Sequence, residues 1–261
     1  MITINIRPIV FLNVGWYGIM VALAVVVVVL WTLREVRRGA NLSYDTILTA
    51  ALIGIPSGVI ISRLLHVIDQ LDFYIWNPGR IFGFEGLTIW GAVLGATLGI
   101  WIYSKFSNFH FGYFADLVAP GVILAQAVGR VGCTLNGCCY GIATSLPWGI
   151  VYKNKFSYGY AASQALPEGM GLHPTQIYEI IYLLIIFAVI LKLRGRFKPD
   201  GSLFLIYLSL YSLWRVGIDF LREGTPFILG LHQAQVIGII VLAIAIPILA
   251  LRTRWVKAET T

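Results

Sequence analysis

Residues 129–141 read Gly129-Arg130-Val131-Gly132-Cys133-Thr134-Leu135-Asn136-Gly137-Cys138-Cys139-Tyr140-Gly141, and they separate an apolar run from the longest polar segment of the chain. They contain all three cysteines, four glycines and an arginine. This change in composition predicts that a helix leaves a membrane here. An ionisable side chain at such a boundary, here Arg130, is a candidate functional residue. Other candidate residues can be judged by whether they could lie close to this stretch.

The composition is that of a membrane protein. Of the 261 residues, 58% are hydrophobic and 12% are charged, and the mean hydropathy is +0.82. The charged fraction is about half that of an average soluble domain. A soluble protein of this length could not bury so much apolar surface, so we predict an all-α polytopic membrane protein with residues 1–261 forming a single integral membrane domain.

Seven apolar runs of about 20 residues each predict a spanning helix. The predicted helices cover residues 12–33, 46–66, 86–103, 114–132, 174–193, 202–221 and 233–251. The third contains Gly91, Gly95 and Gly99, a spacing that favours close helix packing. Residues 133–172 are too long for a simple connection, so we predict a small external head subdomain inserted between helices four and five.

Loop cations predict the orientation, because cytoplasmic loops collect Lys and Arg. Eleven cations fall on one side and four on the other. The larger group is Arg34, Arg37, Arg38, Lys105, Lys192, Arg194, Arg196, Lys198, Arg252, Arg254 and Lys257, and the smaller is Arg7, Arg80, Lys153 and Lys155. We therefore expect the N-terminus and the head outside and the C-terminus in the cytoplasm. The same placement accounts for the net charge of +7, so we expect no nucleic-acid partner.

Three arginines, Arg63, Arg130 and Arg215, lie inside predicted spanning helices, where each costs roughly 2.5–3.5 kcal/mol to insert. Asp219 follows Arg215 by four residues, shares its helix face and is a candidate partner. One aspartate cannot neutralise three arginines. Together with Arg222 they predict a cavity for an anionic lipid headgroup, because guanidinium groups bind phosphate through paired hydrogen bonds. The alternative is that each arginine pairs with a carboxylate or extends to the interface.

The glycines and cysteines of residues 129–141 allow several roles. Glycine permits tight bends and close approach to a ligand, and backbone amides can help to hold a phosphate. The cysteines could form a disulfide between Cys133 and Cys138 or Cys139, a metal site with His173, or a nucleophilic thiolate beside Arg130. The spacing matches no common metal motif, and we expect packing or a structural disulfide, with no metal site and no cofactor.

Two histidines are candidates for a general base, because their ordinary pKa suits proton transfer near neutral pH. His173 precedes the fifth predicted helix, and its alternative role is to cap that helix. His66 lies one turn after Arg63, and its alternative role is that of an interfacial histidine. His110 and His232 fall in predicted loops, where we expect no function.

Four motifs carry a resemblance. They are Gly129-Arg130-x-Gly132 with Gly137 and Gly141; His173-Pro174-Thr175-Gln176-Ile177-Tyr178-Glu179; Tyr211 to Arg215 followed by Asp219 to Arg222; and Trp16-Tyr17-Gly18. Asp116 to Pro120, Arg63 and Gln235 also fall in matching order. Together, over about residues 12–250, they resemble the phosphatidylglycerol–prolipoprotein diacylglyceryl transferase family.

The resemblance implies transfer of a diacylglyceryl group from phosphatidylglycerol to the lipobox cysteine thiol of a prolipoprotein signal peptide, forming a thioether and releasing glycerol phosphate. It implies a bacterial plasma (inner) membrane enzyme that contacts membrane lipids, and we expect a monomer. The implied catalytic residues, with His173 as a candidate base, are Arg130, Arg215, His173, Tyr17 and Tyr211. The expected substrate-binding residues are Arg63, His66, Gly129, Gly132, Gly141, Asp219, Arg222, Gln176, Glu179 and Trp90.

The chain departs from the family pattern at three positions. Cys133 stands where the family usually has asparagine, and Cys138 where it has glutamate. Trp90 aligns with a histidine or tyrosine, and tryptophan cannot act as a base. These departures leave two alternatives open, a related lipid-modifying transferase with another acceptor or donor, and a non-catalytic lipid-binding or transport protein. The paired repeats and broken helices of many transporters are absent from the sequence.

Overall fold

A computed structural model describes residues 1–11, 14–81, 89–222 and 228–256, without the side chains of residues 10, 11, 14, 69, 89 and 90. Within these residues lie nine α-helices. They are α1 (Trp16–Arg37), α2 (Tyr44–Asp69), α3 (Leu71–Trp76), α4 (Ile89–Phe106), α5 (Phe111–Asn136), α6 (Tyr160–Gln164), α7 (Thr175–Leu193), α8 (Ser202–Ile218) and α9 (Gln233–Arg252). Short 3-10 turns cover Pro78–Arg80 and Asp219–Leu221.

Six of the described helices are long and apolar enough to cross a membrane: α1, α2, α5, α7, α8 with its 3-10 turn, and α9. The protein is therefore a multi-pass all-α membrane protein, as predicted. The remaining predicted run corresponds to α4, which has 18 residues and borders on residues outside the description. The predicted starts at Leu12 and Gly86 also lie outside the described residues.

The end of the fourth predicted helix was placed too early. We predicted an end at Gly132, but α5 continues to Asn136 and stops before Gly137, whose φ is +72°. Polar residues outside the bilayer can extend a helix until one adopts a conformation that ends it, and glycine takes positive φ at little cost. Cys133 therefore lies on the last turn of a helix and not in the head subdomain.

The segment after α5 forms a small sheet that includes the N-terminus. Its strands are β1 (Ile2–Ile4), β4 (Ala143–Thr144), β5 (Ile150–Tyr152) and β6 (Gly171–Leu172), in the order β1-β5-β6-β4. β1 runs parallel to β5, and Ile2 pairs with Ile150. Ile150, Tyr152 and Leu172 form its buried core. Two further pairs of strands are β2 (Ile9–Phe11) with β3 (Val14–Gly15), and β7 (Phe197–Lys198) with β8 (Arg254–Trp255).

The chain divides into two compact units, and the smaller comprises residues 32–114. In it, α2 packs closely on α4. A Cβ atom at Gly95 would clash with the backbone carbonyl of Ser57, and one at Gly91 would clash with the backbone of Ser62. The glycine spacing thus allows the helix backbones to approach closely, as predicted.

The larger unit comprises residues 1–31 and 115–261. Its apolar core joins α5, α7 and α8. The buried members are Ala119, Ile123, Ala127, Leu183, Ile186, Ile190, Leu203 and Tyr207. Asp116 on α5 accepts hydrogen bonds of 2.8 Å from the amides of Gly201 and Phe204, which satisfies donors at the start of α8. The core and this cap align α5, α7 and α8, the helices that carry the predicted site.

Candidate active site

Glu179 is the carboxylate on which three helices converge in the larger unit. It lies on the second turn of α7 and is 3% exposed. Its Oε1 is 2.9 Å from Nε of Arg130 on α5 and accepts a hydrogen bond of 3.1 Å from the hydroxyl of Tyr211 on α8. Its Oε2 is 3.9 Å from Nη1 of Arg215 on α8. The two predicted headgroup arginines therefore face a single carboxylate.

Asp219 is a second buried carboxylate, 4% exposed, at the end of α8. Its Oδ1 is 3.1 Å from Nη2 of Arg215 and 3.7 Å from Nη1 of Arg222. The ion pair between Arg215 and Asp219 was predicted from their spacing and is confirmed. Oδ2 of Asp219 also lies 3.3 Å from Nδ1 of His232.

We call Arg130, Glu179, Arg215, Asp219 and Arg222 the arginine cluster. Three guanidinium groups and two carboxylates leave it a charge of +1 when His232 is neutral. Nη1 of Arg215 is buried and makes no hydrogen bond within the described part of the protein. It faces Oε2 of Glu179 at 3.9 Å, which is beyond hydrogen-bond distance, so an anion with acceptor oxygens would be favoured beside it. A phosphodiester, which carries one negative charge, would bring this cluster to neutrality.

The glycines of residues 129–141 take different positions. Gly141 pairs with Arg222 in an isolated antiparallel bridge, and its amide donates to the carbonyl of His173 at 2.9 Å. A Cβ atom at Gly141 would clash with the carbonyl of Leu221 and lie 2.8 Å from Cβ of His173. Gly141 therefore allows the turn to reach the end of α8.

The other two predicted glycines lie on α5. A Cβ atom at Gly132 would lie 2.8 Å from Cβ of Met20 and 3.4 Å from Cα of Tyr17, so Gly132 allows α1 to approach α5. This contact places the backbone of Tyr17 against α5 at Gly132, two residues after Arg130 in the sequence. A Cβ atom at Gly129 would meet nothing within 4 Å. Gly129 is thus not required by packing among the described residues.

The motif at residues 173–179 ties the start of α7 to the turn after α5. Oγ1 of Thr175 donates to the carbonyl of Cys139 at 2.6 Å, and Nε2 of Gln176 donates to the carbonyl of Cys138 at 2.7 Å. Gln176 is 1% exposed and also contacts the hydroxyl of Tyr152, whose pKa is raised by burial. These bonds hold the segment of Cys138 and Cys139 against the first turn of α7, and Glu179 lies on the next turn of that helix.

His173 lies between the head sheet and α7. Its Nδ1 is 3.3 Å from the hydroxyl of Tyr178, which accepts a hydrogen bond of 2.7 Å from Nε1 of Trp148. With Nδ1 occupied, Nε2 is the nitrogen that can exchange a proton with a substrate.

From the sequence we expected the cysteines to serve in packing or in a structural disulfide, and in the structure all three are free, so the disulfide is not formed. Their Sγ atoms nevertheless lie within 4.8 Å of one another, and Nη1 of Arg130 is 3.9 Å from Sγ of Cys133. Hydrogen bonds from Cys133 and Cys138 lower the pKa of the Cys139 thiol, and the charges of Arg130 and Arg222 lower it further. Hydrogen bonds with Cys133 and Cys139, together with burial, raise the pKa of the Cys138 thiol.

Three predicted site residues are not part of the larger unit. Arg63 and His66 belong to the unit of residues 32–114. There Nε of Arg63 donates to the carbonyl of Ile81 at 2.9 Å, another N–H donates to the carbonyl of Arg80, and the guanidinium group lies over the ring of Tyr74. The ring of His66 packs edge-on against the same tyrosine. The side chain of Trp90 lies outside the described residues, and the roles of all three stay predictions.

Sequence reasoning missed the part played by His232, which we had assigned to a loop without function. Its side chain contacts Asp219, and it also caps α9 in a reciprocal capping box with Gln235. Glu179 was named from the resemblance, but its central position was not inferred. One signal was available, because Glu179 is the only acidic residue in the apolar run that forms α7.

Comparison with known proteins gives the family. The sequence profile described as "Prolipoprotein diacylglyceryl transferase" matches residues 4–251, nearly the whole chain. The chain belongs to the prolipoprotein diacylglyceryl transferase family. The match includes every helix and strand that contributes to the arginine cluster.

Relatives within this family are similar over most of their lengths. A protein of Dehalococcoides mccartyi named phosphatidylglycerol–prolipoprotein diacylglyceryl transferase is 51% identical over 258 residues, covering 97% of this chain and 96% of that protein. Proteins of the same name from Clostridioides difficile and Corynebacterium diphtheriae are 36% and 35% identical. These cover 88% and 82% of this chain, and 87% and 80% of their own lengths.

Proposed function

We propose that this protein transfers the diacylglyceryl group of phosphatidylglycerol to the thiol of the lipobox cysteine in a prolipoprotein. The names of its relatives supply the two substrates. One structural observation carries the proposal: Arg130 and Arg215 reach the same buried carboxylate, in a cluster with one surplus positive charge. This is the charge that the phosphodiester of phosphatidylglycerol would balance.

In the proposed reaction, the sulfur of the lipobox cysteine attacks the glyceryl carbon that carries the phosphate. A sulfur–carbon bond forms, and the carbon–oxygen bond to the phosphate breaks. The oxygen leaves with the electron pair as part of glycerol phosphate. The thiol proton passes to a base, so that the products are a thioether and a phosphate monoester, and no cofactor takes part.

Arg130 and Arg215 act on the leaving group in this mechanism. As the carbon–oxygen bond breaks, negative charge grows on the phosphate, and fixed guanidinium groups stabilise it without reorganising. Glu179 holds both arginines in position, and the hydroxyl of Tyr211 restricts its Oε1. Two histidines are candidates for the base, His173 through its Nε2 and His66. Tyr17, which packs near Gly132, is proposed to line the same site.

The proposed orientation places the N-terminus and the head outside the plasma membrane of a bacterium and the C-terminus in the cytoplasm. The pairing of β1 with β5 supports one part of this, that the N-terminus and the head lie on the same side, because paired strands require an even number of crossings between them. Four long helices, α1, α2, α4 and α5, lie between β1 and β5 in the sequence, so we propose that α4 is the fourth crossing. The pairing of β7 with β8 likewise agrees with two crossings, α8 and α9, between them. We also propose that the enzyme acts as a monomer.

The test is transfer by the purified protein from phosphatidylglycerol to a peptide that contains a lipobox cysteine. Mass spectrometry of the peptide should show addition of one diacylglyceryl group. Arg130→Ala should lower the rate by at least about 100-fold, the typical effect of removing one transition-state donor. Arg130→Lys should remain impaired, because lysine keeps the charge but not the paired donors. Arg37→Ala, at an exposed position on the last turn of α1, is the matched control. Full activity in Arg130→Ala would refute the role of Arg130.

A second candidate function is a related transferase with another acceptor or donor, which Cys133, Cys138 and Trp90 favour because they depart from the family pattern. A strain lacking the protein separates the two. Loss of the diacylglyceryl group from its lipoproteins supports the first function. Unchanged lipoproteins with an altered lipid species support the second. Tight phospholipid binding without turnover of any lipid would support a non-catalytic lipid-binding protein.

A further inference from the structure

The three cysteines form a compact sulfur cluster that the proposed transfer reaction does not use. The Sγ atoms of Cys133, Cys138 and Cys139 all lie within 4.8 Å of one another, and Cys133 is buried while the other two are half-buried. They are the only cysteines in the chain, and all three thiols are free. Because the whole thiol content of the protein converges on one point, the cluster requires a chemical explanation.

The backbone that brings the sulfurs together is bent at two positions. Gly137 has a φ of +72°, and Cys139 has a φ of +65°. A left-handed conformation is inexpensive for glycine, but it costs a non-glycine residue on the order of 1 kcal/mol or more. The bends turn Cys138 and Cys139 back toward Cys133 on the last turn of α5.

The spacing of the sulfurs suits a metal ion. Zinc binds thiolate sulfur at about 2.3 Å, so three sulfurs around one ion lie about 3.8–4.0 Å apart in tetrahedral or trigonal geometry. Separations of at most 4.8 Å need changes of less than about 1 Å to reach those values. A disulfide, at about 2.05 Å, would use two of the sulfurs and leave the third without a partner.

The surrounding charge also suits a metal–thiolate group. Three thiolates carry a charge of −3, so their complex carries −1 with Zn²⁺ and −2 with Cu⁺. Nη1 of Arg130 lies 3.9 Å from Sγ of Cys133, so its positive charge would attract the neighbouring thiolate of such a complex. On binding, each thiol loses its proton to solvent, three metal–sulfur bonds form, and no electrons are transferred.

We propose that Cys133, Cys138 and Cys139 bind one thiophilic d10 cation, Zn²⁺ or Cu⁺, through three thiolates. Thiolate ligands select these ions over harder cations. His173, the other ligand considered from the sequence, is not in the cluster, and its Nδ1 faces the hydroxyl of Tyr178.

The bound ion would brace the active site without taking part in the reaction. It would join the end of α5, which carries Arg130, to the turn of Cys138 and Cys139. The carbonyls of that turn accept hydrogen bonds from Gln176 and Thr175 at the start of α7, which carries Glu179. The ion would therefore stiffen the connection between the two partners of the 2.9 Å ion pair.

The test is metal binding by the detergent-purified protein under reducing conditions. After chelator treatment and removal of the chelator, it is titrated with Zn²⁺ and, separately, with Cu⁺. The measurements are metal content by mass spectrometry, competition with a chromophoric chelator, and protection of the three thiols from alkylation. We expect one ion per chain, protection of all three cysteines, and a higher unfolding temperature in the loaded protein. The two titrations distinguish Zn²⁺ from Cu⁺.

Single substitutions test the assignment. Cys138→Ser and Cys139→Ser should each lower affinity by on the order of 100-fold or more, since even second-sphere changes cost 10–100-fold. Both positions are half-buried, so these variants stay informative even if Cys133→Ser fails to fold. His110→Ala, which removes a potential surface ligand from residues 32–114, should bind as the wild type does.

Three results would overturn the proposal. The first is no binding of either ion to the reduced protein. The second is undiminished affinity in Cys139→Ser, or an equal loss in His173→Ala. The third is a disulfide between two of the cysteines in protein isolated from membranes without reductant, detected as two thiols that still resist alkylation after chelator treatment and react only once a reductant is added.

Discussion

Replacing Glu179 by glutamine tests whether one buried carboxylate holds the arginine cluster together. Glutamine keeps the size of the side chain and one acceptor oxygen but removes its charge. At 2.9 Å and an effective dielectric constant of about 20, the attraction between Glu179 and Arg130 is on the order of 6 kcal/mol before desolvation is counted. Removing one partner of a buried pair leaves the other charge uncompensated, at a measured cost of about 3–5 kcal/mol.

We therefore expect Glu179→Gln to lower the free energy of unfolding by about 3–5 kcal/mol. At about 2–4 °C per kcal/mol for a chain of this size, the unfolding temperature should fall by roughly 6–20 °C. The assay is thermal unfolding in detergent, followed by tryptophan fluorescence. The matched control is Asp200→Asn, which breaks an exposed pair with Lys198 and should cost less than about 1 kcal/mol.

A double-mutant cycle separates the ion pair from general damage. If Arg130 and Glu179 stabilise each other, Arg130→Gln/Glu179→Gln should lose less stability than the sum of the single variants, with a coupling of about 1–3 kcal/mol. Glu179→Gln as stable as Asp200→Asn, or strict additivity in the cycle, would refute the central position of Glu179.

Three further substitutions test other contacts by the same unfolding assay. Asp219→Asn should lower stability by about 2–4 kcal/mol, because it leaves two guanidinium groups with one fewer carboxylate; wild-type stability would contradict the pairing. Gly141→Ala should cost about 1–3 kcal/mol through its clash with the carbonyl of Leu221. Its control is Gly217→Ala, where Cβ meets nothing within 4 Å and stability should be unchanged or rise by up to about 1 kcal/mol. Gly95→Ala should cost about 1–3 kcal/mol by separating α2 from α4, and a neutral result would exclude close packing there.

The spanning helices could be predicted from sequence, because a bilayer requires about 20 consecutive apolar residues and the chain supplies them as separate runs. The ends were less predictable. α5 passes the last apolar residues and continues through Cys133 to Asn136, because a helix outside the bilayer ends where the backbone conformation changes and not where hydropathy falls. The residue that ends it, Gly137, was visible, but its positive φ was not.

The strand β1 had no signal in the sequence. It has three residues, and its partner β5 begins at Ile150. A short strand carries too few side chains for a periodic pattern, and a pairing between distant segments depends on how the intervening helices return the chain. Composition alone therefore assigned residues 2–4 to no element.

Within the candidate site, local pairings were predictable and distant ones were not. Arg215 and Asp219 are four residues apart on one helix, so their contact followed from helix geometry. The contact between Arg130 and Glu179 joins two helices, and no spacing rule connects them. We expected no function for His232 because it falls in a predicted loop, although the tertiary fold brings it to Asp219. The sequence supplied the charged residues, and only the packing of α5, α7 and α8 assigned their partners.

The parallel pairing of β1 with β5 has a consequence for biosynthesis. Residues 2–4 are synthesised before α1, but the strand that completes their hydrogen bonds is made only after α5. While the early helices enter the bilayer, the backbone groups of β1 therefore lack the partner strand with which they later form hydrogen bonds. If one helix were inserted in the wrong direction, β1 and β5 would lie on opposite sides of the membrane and could not pair. The pairing of β1 with β5 can therefore form only after the intervening helices have returned the chain to the side on which β1 lies.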